Sequence, residues 1–332
     1  MSLPIQEATV QSSSVSRERS SQKTPFAFIL AHSFSGSTLL SFLLGAHPEI
    51  ATVGEMFIAP TDGNHDNEEY LCSCGEPIER CAFWQRISEK MAERGVPFDI
   101  RGADSSLTAG SYGPLGSRIV WAEPRGPFLE GIRRTALRLM PEVRRELDRR
   151  IEVNRLLAEV VLDLRDARVF VDATKRPGRA LLLRRDPRLD LQVIHLVRDG
   201  RAVSRSAIHN LGRTVEEGAR SWAASVRRSE ELRRYVPPER WLTVRHEDLC
   251  RDPHGTLERI FESLNVSPDV SIDGFREFRA SDHHIIGNRM RLSRTSEIRL
   301  DERWRTELSP EQRRTIERIA GPELTRYGYA ID

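Results

Sequence analysis

Phe26-Ala27-Phe28-Ile29-Leu30-Ala31-His32-Ser33-Phe34-Ser35-Gly36-Ser37-Thr38-Leu39-Leu40-Ser41-Phe42-Leu43-Leu44-Gly45 decides the fold. Residues 26–31 are an apolar run of strand length, 32–37 are small and polar, and 38–44 place apolar residues at helical spacing before a glycine stop. Strand, tight loop and helix in this order open a parallel α/β unit. Three more apolar runs, 169–172, 191–198 and 241–244, read as buried parallel strands, and each is followed by turn chemistry and a helix-like stretch. Asp199-Gly200 is the clearest of these turns. The pattern predicts an α/β fold of three layers, with helices on both faces of a mostly parallel sheet spanning about residues 25–265.

Residues 1–24 are polar, Ser-rich and aperiodic, which predicts a disordered tail. That stretch lacks the apolar core of a signal peptide, and no run approaches the ~18–20 apolar residues of a membrane span. Four cysteines in 332 residues do not make a disulfide framework, so a reducing cytoplasm is expected. The net charge of +2 excludes the strongly basic balance of a nucleic-acid binder, so any anion site must be local. Residues 25–332 are expected to form one domain interrupted at about 61–165, because a crossover needs only ~10–12 residues. Within that insertion, 61–127 is poor in period, whereas 128–165 reads as one or two Arg-rich amphipathic helices; together they would cap the carboxyl edge of the sheet. The Arg runs at 144–150 and 227–234 read as solvated helix faces. Ser309-Pro310-Glu311-Gln312 is a capping box that opens a helix with Ile316, Ile319 and Ala320 at core spacing.

The loop after the first strand sets backbone N–H groups and hydroxyls at a helix N-terminus, where an anion is favoured. Ser35, Gly36, Ser37 and Thr38 are small enough for a phosphate to approach the backbone. A Walker A loop would need Gly at 31 and Lys at 37, and the chain has Ala31 and Ser37, so a magnesium-dependent triphosphate kinase is disfavoured. Arg198 closes the third run and should face the same crevice, since ligands of parallel sheets sit beyond the strands' carboxyl ends. Ser206, about two turns further on, could add a hydroxyl. Taken singly, each segment is also an ordinary βα turn or a surface ion pair.

Together they carry a resemblance. Ser35-Gly36-Ser37-Thr38-Leu39-Leu40 resembles the 5′-phosphosulfate loop of the sulfotransferase superfamily, and residues 196–206 resemble its 3′-phosphate motif. Ala46-His47-Pro48-Glu49-Ile50 with Gly54-Glu55 is similar to the segment after the first helix, as in tyrosylprotein sulfotransferases. Asp172-Ala173-Thr174-Lys175 looks like the Asp-x-x-Lys stretch of bacterial members, Arg245-His246-Glu247-Asp248-Leu249 like the Arg-Tyr-Glu-Asp-Leu region, and Gly287-Asn288 like a C-terminal Gly-Asn loop. The resemblance implies a P-loop-like fold and transfer of a sulfuryl group from 3′-phosphoadenosine 5′-phosphosulfate to an acceptor hydroxyl or amine, with no metal expected. It implies that Ser35, Gly36, Ser37 and Thr38 hold the 5′-phosphosulfate and Arg198 and Ser206 the 3′-phosphate, with Gly287 and Asn288 also on the nucleotide. The acceptor's identity has no readable pattern in the insertion or near 280–295.

The departures direct attention elsewhere. The family's basic residue before the Ser-Gly pair is replaced by Phe34, which leaves either another donor or an inactive nucleotide- or partner-binding fold. Only three of the 51 basic residues are lysines, so an interior Lys175 points to a need for a compact ammonium at the leaving group. Glu55 is the expected general base, with His32, His283 and His284 as alternatives. Cys72, Cys74 and Cys81 read three ways: zinc ligands with a fourth from His65, Asp66 or elsewhere, a local disulfide, or packed thiols.

Overall fold

The computed structural model describes residues 23–56, 71–99, 104–268, 283–287, 290–293 and 298–331. Among these residues, five parallel strands form one sheet in the order β2-β3-β1-β4-β5: β1 Thr24–Ala31, β2 Ile50–Thr52, β3 Val169–Lys175, β4 Leu189–Val197 and β5 Trp241–Arg245. The chain leaves β1 for β2 on one side, then crosses back after β3 to β4 on the other, and this opens a crevice beyond the carboxyl end of β1. Phe26 sits opposite Phe170 of β3 and Leu191 of β4. The three-layer, mostly parallel α/β fold expected from the apolar runs is the fold observed.

The strands read as unbroken apolar runs because both faces of the sheet are covered. The helices are α1 Ser37–Gly45, α2 Ala82–Glu93, α3 Gly113–Trp121, α4 Gly126–Leu139, α5 Pro141–Arg165, α6 Pro177–Leu183, α7 Gly200–Leu211, α8 Val215–Arg233, α9 His246–Arg251, α10 Pro253–Ser263, α11 Met290–Ser293, α12 Trp304–Glu307 and α13 Pro310–Arg326. Phe26, Phe28 and Leu30 share a buried cluster with Leu157 and Val161 of α5 and Trp84 of α2. The alternate residues Ala27 and Ile29 pack with Leu39, Leu40 and Leu43 of α1 and with Ile260 and Phe261 of α10. Each such fully buried Leu, Ile or Phe contributes roughly 1.5–3 kcal/mol relative to exposure. At the far side, Trp222 of α8 joins Val203, Ala320 and Leu324. The capping box at Ser309 forms as expected, with Ser309 Oγ accepting from Gln312 N and Gln312 Oε1 from Ser309 N.

Three sequence expectations are corrected. The strand β2 is absent from the apolar runs read as strands, since three residues carry no measurable alternation. The stretch 61–127 is not without period: α2 buries Trp84, Ile87 and Met91 on one face of an otherwise charged helix, and α3 follows it. Arg150 does not lie on a solvated face; it is buried, paired with Glu146 Oε1 at 2.7 Å and donating to Ser106 O at 2.8 Å. Residues 1–22 of the expected tail lie outside the described residues, and among those described no helix is long and apolar enough to cross a membrane.

Candidate functional site

The loop that joins β1 to α1 turns through two residues in the left-handed region, Phe34 at φ 66° and Gly36 at φ 89°. Gly36 caps the helix without any side-chain hydrogen bond, so the first N–H groups of α1 keep their partial positive charge for an anion. A Cβ on Gly36 would lie 2.5 Å from His246 Nδ1, so this backbone approaches β5–α9 more closely than any side chain permits. His246 is buried there with its pKa pushed down to about 3, by desolvation first and by Arg198 second, so it is a neutral wall of the loop. Ser35 Oγ is buried and has no hydrogen-bond partner among the described residues. An orphaned buried hydroxyl costs about 1–3 kcal/mol, which an incoming anion would recover.

Arg198, the first residue beyond β4, reaches this loop. Its Nη1 donates to Phe34 O at 2.8 Å and its Nη2 to Asp301 O at 3.1 Å, while Nε is buried without a partner among the described residues. The Asp301 carboxylate stands 3.9 Å from Nη2 and is held well below the usual carboxylate range, first by its hydrogen bond from Arg303 in its own turn. The rest of the Arg-Asp-Gly-Arg stretch is structural. Asp199 caps α7 through Arg201 N and binds the Arg201 guanidinium, which also reaches Glu317 of α13. Gly200 is required because a Cβ there would meet the Trp222 ring at 2.6 Å. A cavity of about 250 Å³, lined by Arg201, Arg245, Arg251, Asp301 and Trp304, shares Asp301 with the crevice and excludes the Ser35 loop.

On the other flank of β1, Lys175 and Glu55 meet: Lys175 Nζ donates to Glu55 Oε1, and both side chains are partly buried. Pairing of β1 with β3 shifts between Phe28 and Leu30, so that Leu30 sits opposite Lys175, itself at φ 74°. This irregularity re-aims the end of β3 into the crevice. Burial raises the Glu55 pKa above the ordinary value, with Lys175 pulling in the opposite direction. Behind the pair, fully buried Asp172 accepts from Thr174 N at 2.8 Å and from Arg179 Nε at 2.8 Å, and Thr174 Oγ1 accepts from Met56 N at 2.9 Å. The chain on both sides of the ion pair is thereby tied to one carboxylate. Gly287, at φ 90°, closes the site, its Cβ position lying 3.0 Å from Thr38 Oγ1 and 3.2 Å from Glu55 Oε1.

The structure therefore brings Ser35, Gly36, Thr38, Glu55, Lys175, Arg198 and Gly287 to one end of the sheet, with buried Ser37 opening α1. Ser206 is buried too, but its hydroxyl donates to Ala202 O at 3.0 Å, one turn back in its own helix. Asn288 lies outside the described residues, as do His65 and Asp66. His32 is a neutral structural group: its Nδ1 donates to Ser33 O, its Nε2 accepts from Ser221 Oγ, and desolvation lowers its pKa. His284 is fully buried against the Phe42 ring with its pKa lowered to about 3 by desolvation. The insertion covers the turn after Lys175 through Ser105 O, which accepts from Arg179 Nη1, and Glu123 Oε2, which accepts from Gly178 N. Sequence reasoning missed Asp301 and Arg179. Asp301 carries no motif, and Arg179 is one arginine among many.

A sequence model described as "Sulfotransferase family" matches residues 181–269, from within α6 through β4, α7 and β5 to beyond α10. The chain is 26% identical over 213 residues to human carbohydrate sulfotransferase 2, covering 51% of this chain and 39% of that protein, and the mouse counterpart matches equally. It thus spans about two fifths of the length of these curated relatives. Among solved structures, the sulfotransferase domain from the curacin biosynthetic pathway superposes with a TM-score of 0.52 at 18% identity, over 94% of this chain and 100% of that one. The sulfotransferase domain of the Synechococcus PCC 7002 olefin synthase gives 0.50 at 19% identity, over 94% and 97%. The chain thus shares its fold almost end to end with these two sulfotransferase domains, and its match to the sulfotransferase family falls on the strand and helix flanking Arg198.

Proposed function

We propose that the protein transfers a sulfuryl group from 3′-phosphoadenosine 5′-phosphosulfate to an acceptor hydroxyl or amine. The observation that carries this reading is the pair of buried polar atoms, Ser35 Oγ and Arg198 Nε, that have no partner among the described residues, beside a helix N-terminus without a side-chain cap. These are donors without acceptors, which fits an anionic ligand and no cation. The Ser35–Thr38 loop would hold the 5′-phosphosulfate and Arg198 the 3′-phosphate; Ser206 would join it only by giving up its hydrogen bond to Ala202 O. Gly287 leaves room over Thr38 for the nucleotide's reactive end.

Sulfuryl transfer is an in-line displacement on an anionic group, so positioning and charge stabilisation do most of the work. Phe34 supplies no donor, and its carbonyl instead accepts from Arg198. Lys175 takes the donor role: its ammonium would neutralise charge at the leaving oxygen, while Glu55, released from that contact, would accept the acceptor's proton. A base must be deprotonated to act, so kcat/KM is expected to fall as pH drops through the Glu55 pKa. Because burial raises that pKa, the acid limb is expected above the ordinary carboxylate range and should vanish in Glu55→Gln. A limb at the free-glutamate value that persists in Glu55→Gln would remove Glu55 from the reaction.

The reading is tested by incubating the full chain with radiolabelled phosphosulfate donor and a panel of alcohols, phenols, sugars and amines. Acceptor-dependent release of 3′-phosphoadenosine 5′-phosphate supports transfer. Tight nucleotide binding with no turnover on any acceptor would instead favour the inactive fold that Phe34 leaves open. Acceptor choice is assigned to the insertion, where Leu107, Val120 and Trp121 line a small pocket with Thr174 and Arg176 next to Lys175.

A further inference from the structure

Outside the crevice, the fold gathers a second set of reactive side chains. Cys72, Cys74 and Cys81 meet His283, some 200 positions later, with Sγ and imidazole nitrogen atoms all within 4.8 Å of one another. Cys81 Sγ lies 3.7 Å from both Cys72 Sγ and Cys74 Sγ, and His283 Nδ1 lies 3.2 Å from Cys81 Sγ and 3.5 Å from Cys72 Sγ. A tetrahedral zinc with Zn–S of ~2.3 Å and Zn–N of ~2.0–2.1 Å has S···S edges of ~3.8 Å and S···N edges of ~3.6 Å. The two S···S separations of 3.7 Å and the 3.5 Å from Cys72 to His283 sit close to those edges, and the 3.2 Å from Cys81 to His283 is somewhat shorter. They are far from the ~2.05 Å of a disulfide, and all three cysteines are free. We propose that Cys72, Cys74, Cys81 and His283 form a closed structural zinc site, which departs from the expectation that no metal is bound.

The surroundings prepare the ligands. Gly75, at φ 97°, allows the chain to turn between the first cysteines and Cys81, with Gly75 N donating to Cys72 O and Cys72 N to Glu76 O, both at 2.9 Å. Ser73 and His284 exchange two hydrogen bonds of 2.9 Å, Ser73 N to His284 O and His284 N to Ser73 Oγ, which lock the two segments in register. Phe83 stacks on the His283 ring at 4.6 Å and 9°, fixing its plane. Four protein ligands leave no open position, which marks a structural and not a catalytic site.

The site also explains why the two segments are joined at all. Beyond His283 the chain continues to Ile285, whose N donates to Val53 O at 2.9 Å and whose O accepts from Glu55 N at 3.3 Å, and then to Gly287 over Thr38. The zinc therefore staples the cap to the segment that carries Glu55. This inference does not rest on the sulfotransferase reading, since metal content is measured without turnover.

The test is elemental analysis of the full chain purified from zinc-supplemented culture, followed by cobalt(II) exchange and absorption spectroscopy. About one zinc per chain is expected, with cobalt giving the intense d–d and thiolate charge-transfer bands of a tetrahedral thiolate site. Cys81→Ser and His283→Phe should lose the metal, His283→Cys should keep it, and Cys250→Ser should leave the stoichiometry unchanged. If Cys81→Ser does not fold, the wild-type cobalt spectrum and His283→Cys decide the matter. A folded wild-type chain without stoichiometric metal, a disulfide among the three cysteines, or metal retained equally in His283→Phe and Cys81→Ser would overturn the proposal.

Discussion

Lys175→Met is expected to lower kcat by about 100- to 1,000-fold, the usual loss when one preorganised donor to a developing negative charge is removed. Affinity for 3′-phosphoadenosine 5′-phosphate should stay within about threefold, because Lys175 is assigned to the transition state and not to the nucleotide's ground-state contacts. The expectation follows from position. Lys175 stands at the end of β3 beside β1, in left-handed backbone, and its ammonium is already directed at Glu55 in the crevice. Phe34 offers no basic side chain in the loop before Ser35, which leaves Lys175 as the proposed donor. The same change removes the Coulombic pull that lowers the Glu55 pKa, so the acid limb of the residual activity should move to higher pH. Lys175→Arg keeps the charge but not the compact head, and should recover only part of the rate. Full activity in Lys175→Met, or a matching loss of nucleotide affinity, would show that Lys175 acts elsewhere.

Asp172→Ala is expected to destabilise the fold by about 3–5 kcal/mol, the cost of removing one partner from a buried ion pair. Asp172 is fully buried and is the carboxylate bound to Arg179, whose remaining N–H groups go to Asn154 Oδ1 and Ser105 O. Without it, a buried guanidinium keeps only neutral acceptors. Urea denaturation should show a lower midpoint at an unchanged slope. In a cycle with Arg179→Met, the double variant should be less destabilised than the sum of the singles, since removing both charges leaves neither uncompensated. Catalysis should suffer as well, because Thr174 and Met56 lose their anchor next to Lys175 and Glu55. A loss below about 1 kcal/mol would indicate an exposed pair of the ordinary surface kind.

How far the sequence can be read depends on whether the signal is local. The run from Phe26 to Gly45 carries strand, loop and helix within twenty positions, and the structure follows it to within two residues at the strand start and one at the helix start. Ser309 and Gln312 form a capping box three residues apart, and that too is legible. What requires distance is not. Glu55 and Lys175 are 120 positions apart, and their separate duties give no sign that they touch. Cys81 and His283 are 202 positions apart, and His283 read alone suggests only a base. Trp84, Ile87 and Met91 are hidden among charged neighbours, and β2 is too short for period to show. Arg150 is buried while Arg144, Arg145 and Arg149 in the same run are exposed, a difference that composition cannot express.

The Ser35 loop and Arg198 are proposed to form one two-ended anion site. Isothermal titration of the full chain with 3′-phosphoadenosine 5′-phosphate, beside adenosine 5′-monophosphate and ATP without added metal, tests it most directly. The expected result is micromolar or tighter binding that weakens by about 30-fold or more, both when the 3′-phosphate is absent and in Arg198→Ala, the range for truncating one side of a buried charged contact. Equal affinity with and without the 3′-phosphate, or a preference for ATP that depends on magnesium, would contradict the account.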